Sequence, residues 1–187
     1  MNSICKTATR SDPRRTLLLS ALAGLAGLAG LVVPPSAKAA TVAAEPTREW
    51  QADSFAALRA QHAGHRWVLH LWGETCGPCL AELPQWPALV QAMGVPLVLI
   101  QADASSGRAQ PQLAASGLNR YPRWATRQGL DEYARARIDP GWAGELPRTL
   151  LIAADGSTTA FSGRIDKALL GRWAAQTAAS AQTPRPR

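Results

Sequence analysis

The stretch that decides the fold runs from Arg66 to Leu83 and reads RWVLHLWGETCGPCLAEL. Its first seven residues are apolar and rich in aromatic and β-branched side chains, which predicts a buried strand over 66–72. A helical pattern begins at residues 80–83, so the motif Cys76-Gly77-Pro78-Cys79 lies where a strand passes into a helix. Unpaired N–H groups and the dipole at a helix N-terminus favour a thiolate over a thiol. Cys76 is therefore the candidate nucleophile.

The first 39 residues are typical of an export leader. Basic residues at positions 6, 10, 14 and 15 precede an apolar run over 16–33, and Ala37-Lys38-Ala39 offers a small-x-small cleavage pattern. The adjacent Arg14 and Arg15 also suit a twin-arginine leader. We predict a signal peptide over 1–39 and a periplasmic protein, with an uncleaved membrane anchor over 16–33 as the alternative.

Most of the basicity of the chain lies in this leader. The 187 residues include 20 lysines and arginines and 13 aspartates and glutamates, a formal charge of +7. Five of those basic residues and one of the acidic residues precede Ala40, which leaves 15 against 12, or +3. The remaining arginines are scattered rather than interleaved with aromatic residues, so the composition gives no support to nucleic-acid binding.

The cysteine count indicates that the closely spaced pair is there for chemistry. Of three cysteines, Cys5 lies in the predicted leader, so the mature domain would keep only Cys76 and Cys79. A bridge between residues three apart closes too small a loop to add much stability. A zinc site needs two further ligands, and the sequence has neither a second cysteine pair nor a His-x3-His pattern. The prediction is a redox disulfide, with no metal and no cofactor.

One α/β domain is predicted over residues 50–178. Residues 40–49 read as a polar linker, and residues 179–187, which include two prolines, read as a disordered tail. The segment 103–124 has the weakest pattern of the domain, so its role is left open.

Strand and helix patterns alternate through this domain. The strand at 66–72, a helix from 76 to about 93 and the apolar run 96–100 form a strand–helix–strand unit with parallel strands. Pro84 and Pro87 interrupt its helix, since proline removes a backbone hydrogen bond. The other expected elements are a helix with Asp53 as its N-cap, a short helix at 110–115, a short strand at 121–124, a helix at 130–137, a hairpin with strands at 148–153 and 158–161, and a helix at 167–177.

The order of motifs resembles that of the thioredoxin superfamily. Trp72-x3-Cys76-Gly77-Pro78-Cys79-x2-Glu82-x-Pro84 is followed some sixty residues later by Gly144-Glu145-Leu146-Pro147-x-Thr149 and then by Asp155-Gly156. Within the superfamily the chain is similar to the exported TlpA/ResA-type reductases, over about residues 48–177. The resemblance implies a central mixed β-sheet flanked by helices and thiol:disulfide exchange at the dithiol.

The same resemblance implies which residues contact substrate. Pro147 would be a cis-proline beside the dithiol, and the backbone of Leu146 would pair with an incoming peptide as an added strand. Trp72 and Thr75 are the further candidates for substrate binding. Thr75 departs from the family, which most often has an aromatic residue directly before the first cysteine.

Two side chains are candidate proton carriers. Glu82 follows Cys79 by three residues and so shares its helical face; in TlpA/ResA-type proteins a glutamate at this place has an acid/base role. The alternative is a partly exposed carboxylate at a helix start. His70 shares one strand face with Val68 and Trp72, which indicates burial. It could take up a proton, or be only a hydrogen-bonded core histidine.

The sequence thus predicts an exported thiol:disulfide oxidoreductase that reduces or isomerises disulfides of selected extracytoplasmic proteins, for example in cytochrome c maturation. A monomer with a membrane-bound electron donor is the expected arrangement. Two alternatives stay open: a dithiol oxidase, and a non-enzymatic binding module of the same fold for a cysteine-rich or metal-bearing partner. The redox potential separates the predicted reductase from the oxidase, since thioredoxin, a reductant, lies near about −270 mV and the oxidant DsbA near about −120 mV.

Overall fold

A computed structural model describes residues 44–182 of the chain. These residues belong to one compact unit, Ala40–Arg187. The signal peptide predicted over 1–39 and the last five residues of the predicted tail lie outside the described part. Within residues 44–182, no helix combines the length and the apolar character needed to cross a membrane.

Within residues 44–182, six strands form one mixed sheet. They are β1 (Thr47–Glu49), β2 (Trp67–Trp72), β3 (Leu97–Gln101), β4 (Arg123–Ala125), β5 (Arg148–Ile152) and β6 (Thr158–Ser162). The order across the sheet is β1-β4-β3-β2-β5-β6, in which the first four strands are parallel and the last two pair antiparallel. β2 and β3 are buried along their whole length, as their continuous apolar runs predict. The mixed sheet of the predicted fold class is confirmed.

Helices pack on both faces of this sheet. They are α1 (Ser54–Gln61), α2 (Gly77–Glu82), α3 (Trp86–Met93), α4 (Gln110–Ala115), α5 (Glu132–Ile138) and α6 (Lys167–Gln182), with 3₁₀ turns at Leu83–Gln85 and Leu118–Arg120. Trp67, Leu69 and Leu71 of β2 join an apolar cluster with side chains of α1 and α5. Val68 and Trp72 join a second cluster with side chains of α2, α3, α4 and α6. Successive strand side chains point to opposite faces, so one strand contributes to both cores.

The strand–helix–strand unit that carries the dithiol is confirmed, and its helix is broken where the prolines predict. Pro84 lies in the 3₁₀ turn Leu83–Gln85, which joins α2 to α3. Pro87 lies at the start of α3, where a missing N–H leaves no intrahelical bond unmade. β2 and β3 then pair in parallel, so both strands end at the same edge of the sheet.

The predicted linker over 40–49 is wrong at its C-terminal end. Thr47–Glu49 forms β1 and pairs in parallel with β4, and the Glu45 N–H donates to the Asn119 carbonyl at 2.8 Å. The folded domain therefore begins before residue 50. All three side chains of β1 are exposed, so this edge strand is held by backbone bonds and leaves no apolar pattern in the sequence.

Two other boundaries differ from the prediction. α6 continues to Gln182, so residues 179–182 belong to a helix and not to the tail predicted over 179–187. The run Ala-Ser-Ala-Gln includes good helix formers and no proline, which allows the helix to continue. Asp53 is the N-cap residue of α1, but its side chain makes no capping bond; instead the Ser54 Oγ accepts from the Gln51 N–H at 2.8 Å.

Candidate active site

The dithiol lies in the turn that joins β2 to α2. Cys76 is the N-cap residue of α2, and its Sγ accepts a hydrogen bond from the Cys79 N–H at 3.3 Å. The two cysteines form a disulfide with their Cα atoms 5.3 Å apart. Cys76 is half-buried, whereas Cys79 is 0 % exposed. A partner sulfur can therefore reach Cys76 while Cys79 stays enclosed by the protein.

A histidine and a glutamate face each other in the core beside this helix. His70 Nε2 lies 3.4 Å from Glu82 Oε1, with both side chains almost completely buried, and neither atom has a hydrogen-bond partner. The remaining polar atoms of the pair are fixed: His70 Nδ1 lies 3.1 Å from Thr149 Oγ1 on β5, and Glu82 Oε2 accepts from the Ile165 N–H at 3.0 Å. The ring of Trp86 packs against His70, with centroids 4.6 Å apart.

Burial makes both members of this pair favour their neutral forms. It lowers the pKa of His70 from 6.5 to about 3. It raises the pKa of Glu82 from 4.5 to about 7, although the Ile165 N–H, the charge of Arg164 and the Trp86 side chain oppose the rise. Between these two values the pair holds a single proton, which resides on Glu82.

The position of Glu82 rules out the alternative of an exposed carboxylate at a helix start. Glu82 is the last residue of α2 and is 2 % exposed. It lies three residues after Cys79, the other buried side chain of that short helix. The structure therefore places a proton-holding pair on the buried side of the disulfide.

A second loop approaches the turn that carries the dithiol. Its Leu146–Pro147 peptide bond is cis, Pro147 is buried and Leu146 is half-buried. A Cβ atom at Gly73 would lie 3.2 Å from Leu146 Cδ1, so this loop touches the turn before Cys76. The loop is tied to β6 because the Pro147 carbonyl accepts from the Gly163 N–H at 2.8 Å.

The two other residues predicted to bind substrate lie in different environments. Thr75 is exposed at the surface beside Cys76. Trp72 is only 2 % exposed and packs in the same apolar cluster as Cys79. Trp72 is thus enclosed in the core, and its burial argues against the direct substrate contact that we predicted.

Sequence reasoning missed Asp103, in the loop after β3. Its carboxylate accepts from the backbone N–H groups of Glu74 and Thr75, at 3.0 and 2.9 Å, and from Thr75 Oγ1 at 2.9 Å. A signal was present: β2 and β3 are parallel neighbours, so polar residues that follow the two strands meet at one edge of the sheet. Asp103 lies two residues after β3, and Thr75 three residues after β2.

The site offers no cluster of metal ligands. Among residues 44–182, no three side chains of His, Cys, Asp or Glu lie together as metal ligands would.

No protein-family model and no curated protein matches this chain in sequence. Among solved structures, the chain is similar to a secreted Mycobacterium tuberculosis disulfide oxidoreductase homologous to E. coli DsbE. The two share 25 % identity over 63 % of this chain and 85 % of that one, with a TM-score of 0.50.

Two further structures show the same fold at lower identity. One is a thioredoxin-family thiol:disulfide interchange protein from Chlorobium tepidum, at 22 % identity over 64 % of this chain and 83 % of that one, with a TM-score of 0.51. The other is a DsbF homologue from Corynebacterium diphtheriae, at 22 % identity over 63 % and 75 %, with a TM-score of 0.53. With a disulfide-forming Cys-x-x-Cys pair at the start of α2, the chain has the thioredoxin-superfamily fold and is similar to the TlpA/ResA-like thiol:disulfide interchange proteins.

Proposed function

We propose that this protein is a thiol:disulfide oxidoreductase that reduces or isomerises disulfides of selected client proteins outside the cytoplasm. The observation that carries the proposal is the asymmetry of the dithiol: an accessible Cys76 at a helix N-cap beside a Cys79 that is 0 % exposed. One sulfur is thus presented to a client, and the other is reserved for an intramolecular step. The similarity to a secreted disulfide oxidoreductase supports both the chemistry and the export.

The reaction transfers two electrons from the dithiol to the client. The Cys76 thiolate attacks one sulfur of the client disulfide, forms a mixed disulfide and expels the other client sulfur as a thiolate. Cys79, once deprotonated, attacks the Cys76 sulfur, closes the Cys76–Cys79 disulfide and expels the second client sulfur. The two protons that the cysteines lose end on the two client thiols, so the client disulfide is reduced and the dithiol is oxidised.

The buried pair is proposed to manage the proton of Cys79. A buried thiol cannot easily ionise on its own, since burial disfavours the thiolate. An ionised Glu82 would take the Cys79 proton before the second attack; its burial three residues after Cys79 in α2 and the contact of His70 Nε2 with its Oε1 support this role. In the oxidised state Glu82 holds a proton up to about pH 7, which it can return when the disulfide is reduced again.

The client is proposed to lie along the loop that contains the cis peptide bond. Here the backbone of Leu146, next to Pro147, would pair with an extended client segment, as in strand addition. Thr75 is exposed directly before Cys76 in the chain and would contact the same segment. Trp72 would support both from beneath.

Export and electron supply complete the proposal. We propose that residues 1–39 direct the chain to the periplasm and that the mature domain acts as a monomer. Each turnover leaves the dithiol oxidised, so a membrane-bound dithiol donor must reduce it again. Cysteine pairs that must be reduced before haem attachment, as in apocytochromes c, are a client class that a reductant of this kind would serve.

The test is to measure the redox potential of residues 40–187 against glutathione and the rate at which the reduced protein reduces the disulfides of insulin. A potential near about −270 mV together with insulin reduction supports the proposal, whereas a potential near about −120 mV assigns the oxidase alternative. The Cys76→Ser variant is the control and should be inactive. If wild type reduces insulin no faster than Cys76→Ser, the binding-module alternative replaces the proposal.

A further inference from the structure

The Asp103 carboxylate accepts hydrogen bonds from the turn before the dithiol and from the end of β3. Beyond the three bonds from Glu74 and Thr75, its Oδ1 accepts from Gln101 Nε2 at 3.2 Å. Every one of these donors belongs to β3 or to the turn that follows β2. The carboxylate therefore joins the ends of two neighbouring parallel strands at the place where Cys76 is presented.

The backbone of the turn is shaped to receive this carboxylate. A Cβ atom at Gly73 would lie 2.7 Å from Asp103 Oδ2, a distance that only a glycine avoids without a shift. The Gly73 carbonyl in turn accepts from the Cys76 N–H at 3.3 Å. A second bond ties the same two loops together, since Glu74 Oε1 accepts from the Ser106 N–H at 2.9 Å. Hydrogen bonds to Asp103 and Ser106 thus fix Glu74 and Thr75, the two residues directly before the nucleophile Cys76.

We propose that Asp103 is a positioning residue of the redox centre, which fixes the Gly73–Thr75 turn that presents Cys76 and whose negative charge favours the disulfide over the thiolate. This inference rests on the proposed dithiol exchange and adds a cause for its reducing direction. A carboxylate bound one residue from the nucleophile disfavours negative charge on that sulfur. A less stable reduced form makes the dithiol a stronger reductant, which is the opposite of DsbA, whose reduced form is stabilised.

Two other charged groups act at the same place. Burial alone would raise the pKa of Glu74, but its hydrogen bonds with Ser106 outweigh burial and lower it; the charge of Asp103 opposes this and that of Arg108 assists. Arg108 Nε donates to Ser106 Oγ at 2.9 Å. The Arg108 guanidinium is thus held on the Ser106 side of the cluster, while the Asp103 carboxylate is bound to the residue adjacent to Cys76.

Four variants separate the charge of Asp103 from its geometry. Asp103→Asn removes the charge and keeps one acceptor oxygen. Thr75→Val removes only the hydroxyl that donates to Asp103, and Thr75→Ser restores that hydroxyl. The control is Asp53→Asn, which neutralises an exposed aspartate at the start of α1 whose side chain makes no capping bond.

The readouts are the equilibrium with glutathione, the pH at which thiolate absorbance at 240 nm appears, and the rate of insulin reduction. In Asp103→Asn, we expect the glutathione equilibrium to shift about three- to tenfold toward the dithiol, which corresponds to a potential about 15 to 30 mV less negative than that of wild type. We also expect the thiolate absorbance to appear at a lower pH than in wild type. In Thr75→Val, we expect insulin reduction to slow severalfold, with the wild-type rate returning in Thr75→Ser.

An Asp103→Asn potential equal to that of Asp53→Asn, or more negative, overturns the inference. If Asp103→Asn does not unfold cooperatively, Thr75→Val decides through its rate of exchange with glutathione, which brings no extended client segment to Thr75. A slowed exchange at an unchanged melting temperature supports the inference, and a wild-type rate overturns it. Failure of the proposed function looks different. In that case wild type would not reduce insulin at all, while the glutathione equilibrium would still report the effect of Asp103.

Discussion

The substitution Glu82→Gln keeps the shape of a buried side chain and removes its titration. In the folded protein, burial raises the pKa of Glu82 to about 7 and lowers that of His70 to about 3, so the pair keeps one proton between these values. In the unfolded chain the ordinary values are 4.5 and 6.5, so the same two residues also keep one proton between pH 4.5 and 6.5, but on the histidine. The wild-type pair therefore adds no pH dependence to stability in that interval.

Taken singly, the pKa shifts of Glu82 and His70 change the stability of the fold with pH in opposite directions. A carboxyl with a raised pKa stabilises the fold fully below pH 4.5 and loses this contribution as pH rises through 7. A histidine with a lowered pKa stabilises the fold fully above pH 6.5 and loses this contribution as pH falls through 3. Only the histidine contribution is left in Glu82→Gln. Relative to wild type, the variant should therefore gain about 2 kcal/mol in free energy of unfolding between pH 4.5 and 6.5.

The assay is urea unfolding of the oxidised protein at pH 4.5, 5.5 and 6.5, followed by tryptophan fluorescence. Keeping the disulfide intact prevents titration of Cys76 and Cys79. All other groups titrate alike in both proteins, so the difference in unfolding free energy isolates the pair. The control is Glu49→Gln, the same substitution at an exposed position of β1, which reports the effect of replacing a glutamate by glutamine outside the buried pair.

A constant difference between Glu82→Gln and wild type across the three pH values would refute the one-proton pair. That result would mean that Glu82 titrates alike in the folded and unfolded chains. The reciprocal variant His70→Asn provides an independent check. Its free energy of unfolding relative to wild type should rise as pH falls from 6.5 to 4.5, because only the carboxyl contribution remains.

Three further outcomes follow from single contacts. Cys79→Ser should trap a client as a mixed disulfide on Cys76, seen as a band on non-reducing gels that thiol reductant removes; no such band in expressing cells would contradict the order of attack. Gly73→Ala should lower the free energy of unfolding by about 1 to 3 kcal/mol in urea titrations, since its methyl group would lie 2.7 Å from Asp103 Oδ2. Arg123→Ala should lower the free energy of unfolding by roughly 2 to 4 kcal/mol and speed amide exchange in β1, because its buried guanidinium donates to the carbonyls of Leu118 and Asn119, before β4, and of Glu45, before β1; unchanged exchange in β1 would contradict this role.

Local patterns were enough to predict the elements around the dithiol. The apolar runs of β2 and β3 and the prolines in the intervening helix are properties of neighbouring residues, so they can be read without knowing the fold. β1 could not be found in this way. Its three exposed residues carry no apolar periodicity, and what holds them is backbone pairing with β4, which comes from a distant part of the chain.

The same distinction applies to the candidate site. The spacing of Cys76 and Cys79 and the helix that follows them predicted a redox pair before any contact was known. The partner of Glu82 was not predictable from spacing, since His70 is brought to it by the packing of α2 on β2. Thr75 and Asp103 follow two strands whose parallel pairing was predicted, but no pattern of residue types marks the bond between them.

By itself, the sequence determined that this chain has a dithiol at the start of a helix, within an α/β domain of a known superfamily. These are consequences of residue type and spacing, which act over a few positions. Only the tertiary structure decided that Cys79 is enclosed, that Glu82 and His70 share one proton, and that Asp103 holds the turn. Burial and charge determine these properties, and both depend on residues far apart in the sequence that meet only when the sheet is assembled.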